Sequence, residues 1–139
     1  MVKRLGIMVF IIALNCLSCG KASDYVPNVS VNFQMALTDP RLNALHNTGG
    51  AVIINGYGVA GLIIYRQATG GYAAYDRCSA YLPQNKCAVT LDNPTLTVTD
   101  PCSGAKWLLE DGTPTKAPAV KSLKAYSVNT NGFEIFVQN

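Results

Sequence analysis

The sequence predicts an all-β fold, a small antiparallel sandwich or barrel with one short helix near its N-terminus, and three observations carry that prediction. Short runs rich in Val, Ile and Tyr recur along the chain, the composition that suits a pleated, half-buried surface. Between them stand clusters of Gly, Pro, Asn and Asp, the residues of tight turns. The pair Asn131-Gly132 directly before Phe133 is a strong two-residue hairpin signal. With 139 residues, no internal repeat and no break in composition, the chain has room for one domain of ordinary size, placed at residues 29–139.

The elements follow in order. Val29, Val31, Phe33 and Met35 alternate with Ser30, Asn32 and Gln34, the period of a strand with one buried face. Asp39-Pro40 opens a short helix, because Asp39 caps free amides and Pro40 suits the first helical position. Leu42 and Leu45 give that helix one apolar side, and Gly49-Gly50 ends it. Predicted β runs then cover Ala51 to Asn55, Leu62 to Arg66, Tyr72 to Asp76, Ala88 to Leu91, Leu96 to Thr99, Lys106 to Leu109, Leu123 to Asn129 and Phe133 to Val137. Their connections are GYGVAG, QATGG, a long loop from Arg77 to Cys87, DNP, DGTPTKAPA and TNG.

The first 18 residues read as a targeting segment. Lys3 and Arg4 supply positive charge, and Leu5 to Leu14 is an unbroken apolar run of ten. Ten residues are too few for a hydrocarbon core that needs about 20, so the pattern is that of a secretory signal peptide. Leu17, Ser18 and Cys19 resemble a bacterial lipobox, although Cys16 stands where a leucine is usual. Cys19 is therefore the expected lipidation site. Residues 19–28, CGKASDYVPN, form a polar tether that keeps the domain close to the bilayer. A lipid-anchored protein of the cell envelope is expected, with Gly20 after the cysteine fitting passage to the outer membrane of a Gram-negative bacterium.

Removing the signal changes the charge. Losing Lys3 and Arg4 leaves nine of the 11 basic residues against eight acidic ones. No basic tract remains, which argues against nucleic-acid binding. An exported chain meets an oxidising compartment, and beyond Cys16 and Cys19 three cysteines remain: Cys78, Cys87 and Cys102. One disulfide and one odd thiol are the expectation.

Two motifs take structural readings. Gly56, Gly58 and Gly61 spell the dinucleotide fingerprint, but that chemistry needs a helix to begin at the glycines, and the β run LIIYR follows instead. A glycine turn is expected there. His46, the single histidine, is placed on the solvent side of the short helix, and any mechanism needing two histidines is excluded.

The stretch Val98 to Ala119, VTDPCSGAKWLLEDGTPTKAPA, resembles the second cluster-binding loop of a Rieske iron-sulfur domain. Pro101, Gly104, Ala105, Trp107, Asp111, Gly112, Pro118 and Ala119 match its scaffold residues. AYDRC at Ala74 to Cys78 resembles the strand entering the first cluster loop, and Leu123, Tyr126 and Val128 resemble the closing hairpin. The resemblance covers about Ala51 to Val137 and implies a core place for Trp107. It also implies four ligand positions, here held by Cys78, Ala80, Asp100 and Ser103.

Two irons bridged by sulfide take two thiolates and two imidazoles. One ligand of four is kept, so although the resemblance implies a [2Fe-2S] cofactor, no cluster and no metal are expected. Cys78 with Asp100 makes only an incomplete zinc set. Some Rieske domains tie their two cluster loops by a disulfide whose second half stands at the place of Cys102. That implies a Cys87 to Cys102 bridge, with Cys78 to Cys102 the alternative. The expected function is a non-enzymatic binding or structural role, with a protein partner docking at the loop apex. Two competing expectations are electron transfer through a cluster with atypical ligands, and thiol-disulfide exchange through Cys78.

Overall fold

The structure is a computed structural model that describes residues 25–139. The expected signal peptide at residues 1–18, the expected lipidation site Cys19 and most of the expected tether lie outside the described residues. Among those described, no helix is long and apolar enough to cross a membrane.

Among the described residues ten strands form two antiparallel sheets: β1 (Asn32–Ala36), β2 (Ala51–Ile54), β3 (Leu62–Arg66), β4 (Tyr72–Asp76), β5 (Thr90–Leu91), β6 (Thr97–Thr99), β7 (Lys106–Leu108), β8 (Pro114–Lys116), β9 (Ala125–Thr130) and β10 (Glu134–Gln138). The larger sheet runs in the order β1-β10-β9-β4-β3-β2, and the smaller one β5-β6-β7-β8. The short helix after Asp39 is 3-10 in type, spanning Pro40–His46, and Asp39 caps it by accepting from the Arg41 amide at 2.9 Å. Its bonds run three residues back, Leu42 N–H to the Asp39 carbonyl at 2.9 Å, as suits so short a piece. Leu42 and Leu45 are buried and His46 is exposed.

Two elements escape the sequence reading. Strand β8 lies within the DGTPTKAPA connection, where Pro and Thr signalled a loop; a proline at the start of an edge strand costs no ladder bond. A second 3-10 turn, Pro83–Asn85, sits inside the long loop after β4.

The larger sheet is covered on both faces at its middle strands. On β3, Leu62 and Ile64 join a core with Phe33, Leu42, Leu45, Tyr126, Ile135 and Val137. From the opposite face Ile63 and Tyr65 join Tyr75, Val98, Trp107, Leu109 and Leu123 under the smaller sheet. Burial on both faces is why LIIYR is a continuous apolar run while β1 alternates. Trp107 is wholly buried, and its indole N–H donates to the Lys121 carbonyl at 2.8 Å.

Candidate functional site

Three segments meet at one end of the smaller sheet: the loop after β4, the turn between β6 and β7, and the chain after β8. They enclose a cavity of about 360 Å³ lined by Tyr81, Leu82, Asn85, Cys87, Asp100, Cys102, Ser103 and Pro118. A larger groove of about 510 Å³ runs between Tyr25 and Lys124 and borders only Ala80 of the four cluster positions.

Asp100 lines the smaller cavity. The turn that holds it is closed by Asp100 N–H to the Ala105 carbonyl and Gly104 N–H to the Asp100 carbonyl, both 2.8 Å. The residue is 1% exposed. One oxygen, Oδ1, accepts from the Cys102 amide at 2.8 Å. The other, Oδ2, accepts from the Ser79 hydroxyl at 2.8 Å and the Ser103 hydroxyl at 2.7 Å. Ser79 comes from the first loop and Ser103 from the second, so one buried carboxylate ties the two loops together. A second tie lies beside it, the Cys87–Cys102 disulfide, with Cys87 buried and Cys102 exposed. Pro118 brings the third segment to the rim.

Cys78 stands apart from this group. It is a free, fully buried thiol whose Sγ contacts the Ser79 carbonyl at 3.8 Å and the Pro83 carbonyl at 3.6 Å. Burial pushes its pKa up to about 11, and the neighbouring Asp76 carboxylate adds to the effect. A thiol kept protonated in this way is a poor nucleophile. Ala80 is buried and offers no donor to a metal. The four cluster positions therefore supply one protonated thiol, one methyl group, one hydrogen-bonded carboxylate and one hydroxyl that donates to it. That set lacks the two thiolates and two imidazoles a Rieske cluster uses, and its oxygen donors do not replace soft ligands. A different group does converge: Cys87 Sγ, Cys102 Sγ and a carboxylate oxygen of Asp100 lie within 4.8 Å of one another.

Sequence reasoning missed Ser79 and Asp76. Asp76 is fully buried at the end of β4. Its Oδ1 accepts from the Cys78 amide at 2.8 Å and the Ala60 amide at 3.1 Å, and its Oδ2 from the Val59 amide at 2.6 Å and the Tyr126 hydroxyl at 2.8 Å. The glycine motif is a turn, and its amides face this internal carboxylate. Gly58, at φ +67°, permits the approach, since a Cβ there would lie 2.3 Å from Asp76 Oδ2. Spacing gave a signal for both carboxylates, each standing two residues before a cysteine whose amide it accepts.

No family model matches the chain, and no curated protein matches it. Solved structures do. The plasma membrane Rieske protein of the cyanobacterium Synechocystis PCC 6803 matches with a TM-score of 0.55 and 20% identity, over 81% of this chain and 100% of that one. The ferredoxin of carbazole 1,9a-dioxygenase from Nocardioides aromaticivorans IC177 matches with a TM-score of 0.48 and 20% identity, over 79% of this chain and 97% of that one. The fold of this chain is Rieske-like, an all-β arrangement of antiparallel sheets.

Proposed function

We propose that this chain is a lipid-anchored protein of the bacterial cell envelope, whose Rieske-like domain works without a cluster and without catalysis, as a binding or structural module. The observation that carries this reading is the Asp100 carboxylate, which takes hydrogen bonds from Ser79 and Ser103 across the gap between the two loops. A protein-only crosslink, reinforced by the Cys87–Cys102 bridge, does the holding that metal and sulfide do in a Rieske centre. The cavity beneath Tyr81, Leu82 and Pro118 is the apex at which a protein partner docks. The lipobox-like Leu17-Ser18-Cys19 supports attachment through Cys19, and Gly20 supports the outer membrane as its address.

Electron transfer through atypical ligands has the fold in its favour and the donor set against it. Thiol exchange through Cys78 is disfavoured by the burial of that thiol and by the pKa of about 11 it is pushed to.

Iron and acid-labile sulfide, measured on protein purified under anaerobic conditions, test the reading. Colourless protein without either is expected. Stoichiometric iron and sulfide would replace it with the electron-transfer reading. For the anchor, incorporation of labelled fatty acid that disappears in Cys19→Ala is expected, and labelling that survives the substitution would sink lipidation at that residue.

A further inference from the structure

We propose that reduction of the Cys87–Cys102 disulfide opens a binding site for one thiophilic divalent cation of the Zn²⁺ class, held by both thiolates and the Asp100 carboxylate. This goes beyond the cluster-free reading above, because the ligand set is not the one at the Rieske positions. Cys78 lies outside the converging group with its sulfur turned to the Pro83 carbonyl, and Ala80 contributes nothing.

The three donors are neighbours already: the two sulfurs are joined to each other, and a carboxylate oxygen lies within 4.8 Å of both. A tetrahedral zinc ion with its usual bond lengths separates such donors by about 3.3 to 3.8 Å, so the sulfurs part by roughly 2 Å once the S–S bond is gone and the carboxylate closes on them by up to about 1.5 Å. Asp100 has an acceptor site to give. A carboxylate offers roughly four lone-pair sites. The Cys102 amide, the Ser79 hydroxyl and the Ser103 hydroxyl use three, leaving one on Oδ1. Those same donors fix the orientation of the carboxylate, as second-layer hydrogen bonds do in metal sites. The cavity of about 360 Å³ borders all three ligands and admits water as the fourth. Cys102, exposed at its edge, lets both reductant and ion enter.

The chemistry balances with a dithiol as electron donor. Two electrons pass from the dithiol to the protein disulfide; the S–S bond breaks, two protein thiols form, and the donor becomes a disulfide. On binding the ion each thiol loses its proton, so two protons are released per cation taken up. In the oxidised form neither sulfur is a thiolate, and the site is closed.

Co²⁺ is the probe, since thiolate ligation in a tetrahedral field gives it intense visible absorption. The full-length chain is reduced anaerobically with a phosphine, its folding followed by circular dichroism, and Co²⁺ is added with proton release recorded. One equivalent bound and two protons released are expected for the reduced protein, with no uptake by the oxidised protein. Asp100→Asn is expected to weaken binding tenfold or more, while Cys78→Ala leaves it unchanged. Reduced protein that takes up no Co²⁺ overturns the proposal. So does binding that Asp100→Asn does not weaken, the outcome expected of thiols in an unfolded chain, or binding that Cys78→Ala abolishes. Iron and sulfide in the oxidised, isolated protein bear on the cluster-free reading and leave this test independent of it.

Discussion

Among the described residues two buried aspartates are built on one plan, and the difference between them separates scaffold from site. Asp76 and Asp100 each stand two residues before a cysteine and accept that cysteine's amide at 2.8 Å. Beyond this shared turn they diverge. Asp76 collects two more backbone amides and a tyrosine hydroxyl, partners fixed by the glycine turn and by β9. Asp100 collects two serine hydroxyls, and it borders a cavity with a disulfide at its edge. Backbone partners leave no alternative arrangement, whereas the Ser79 hydroxyl has a second acceptor within reach, the Tyr81 carbonyl at 3.1 Å. Rigid satisfaction marks the part of the fold that positions; adjustable satisfaction marks the part that can bind.

That contrast is open to direct attack. Asp76→Ala leaves three backbone amides and the Tyr126 hydroxyl without their acceptor in the interior. At about 1 to 3 kcal/mol for each orphaned group, a loss of about 4 kcal/mol or more is expected. Urea unfolding measures it, and a loss below that of Asp100→Ala would remove the distinction between the two carboxylates. Replacing both Cys87 and Cys102 by Ala opens a bridge of sequence separation 15, for which the chain-entropy treatment gives about 3 kcal/mol. Thermal unfolding of the double variant against the oxidised protein reads the effect; an unchanged melting temperature would show that the Asp100 network alone secures the loops.

Asp100→Asn is milder. Its amide keeps one acceptor oxygen, and Ser79 can donate instead to the Tyr81 carbonyl, 3.1 Å away, so a cost of about 1 to 2 kcal/mol is expected by the same urea assay. A cost matching Asp76→Ala would show that the serines are as fixed as the amides.

The smallest effect concerns pH. The folded Cys78 thiol has a pKa near 11 against an ordinary value of 9.0, because burial and then Asp76 disfavour the thiolate. The folded state therefore holds its proton more tightly than the unfolded chain. The resulting stability is complete below pH 9 and declines as the pH rises toward 11 and beyond. Tyr75, pushed up to about 12 chiefly by burial, acts in the same direction at higher pH. Urea midpoints at pH 7, 9 and 11 are expected to fall, and to fall less in Cys78→Ala. An equal fall in both proteins would assign the alkaline loss to the tyrosines alone.

Much of this fold is legible in the chain because hydrophobic patterning is a local property. The alternation at Val31 and Phe33, the unbroken run Leu62 to Arg66 and the Asn131-Gly132 hairpin each announce their strands. Strand β8 did not, since an edge strand needs neither an apolar face nor a full set of donors, and Pro114 and Thr115 read as turn residues. Within the site, Cys102 is readable through family resemblance, while Ser79 is not. Nothing in the order Cys78-Ser79-Ala80 shows that the hydroxyl crosses to a carboxylate 21 residues away.

Residue identity and spacing alone point to the β-rich class, to the expectation of a targeting segment with a candidate lipid site, and to a single family ligand, Cys78, among the four positions that the Rieske resemblance implies. Only the tertiary structure decided which cysteines pair, that Cys78 is sealed away beneath its loop, and that Asp100 joins two loops under an open cavity. Those facts depend on distances between segments far apart in the chain, which residue order constrains weakly and packing sets.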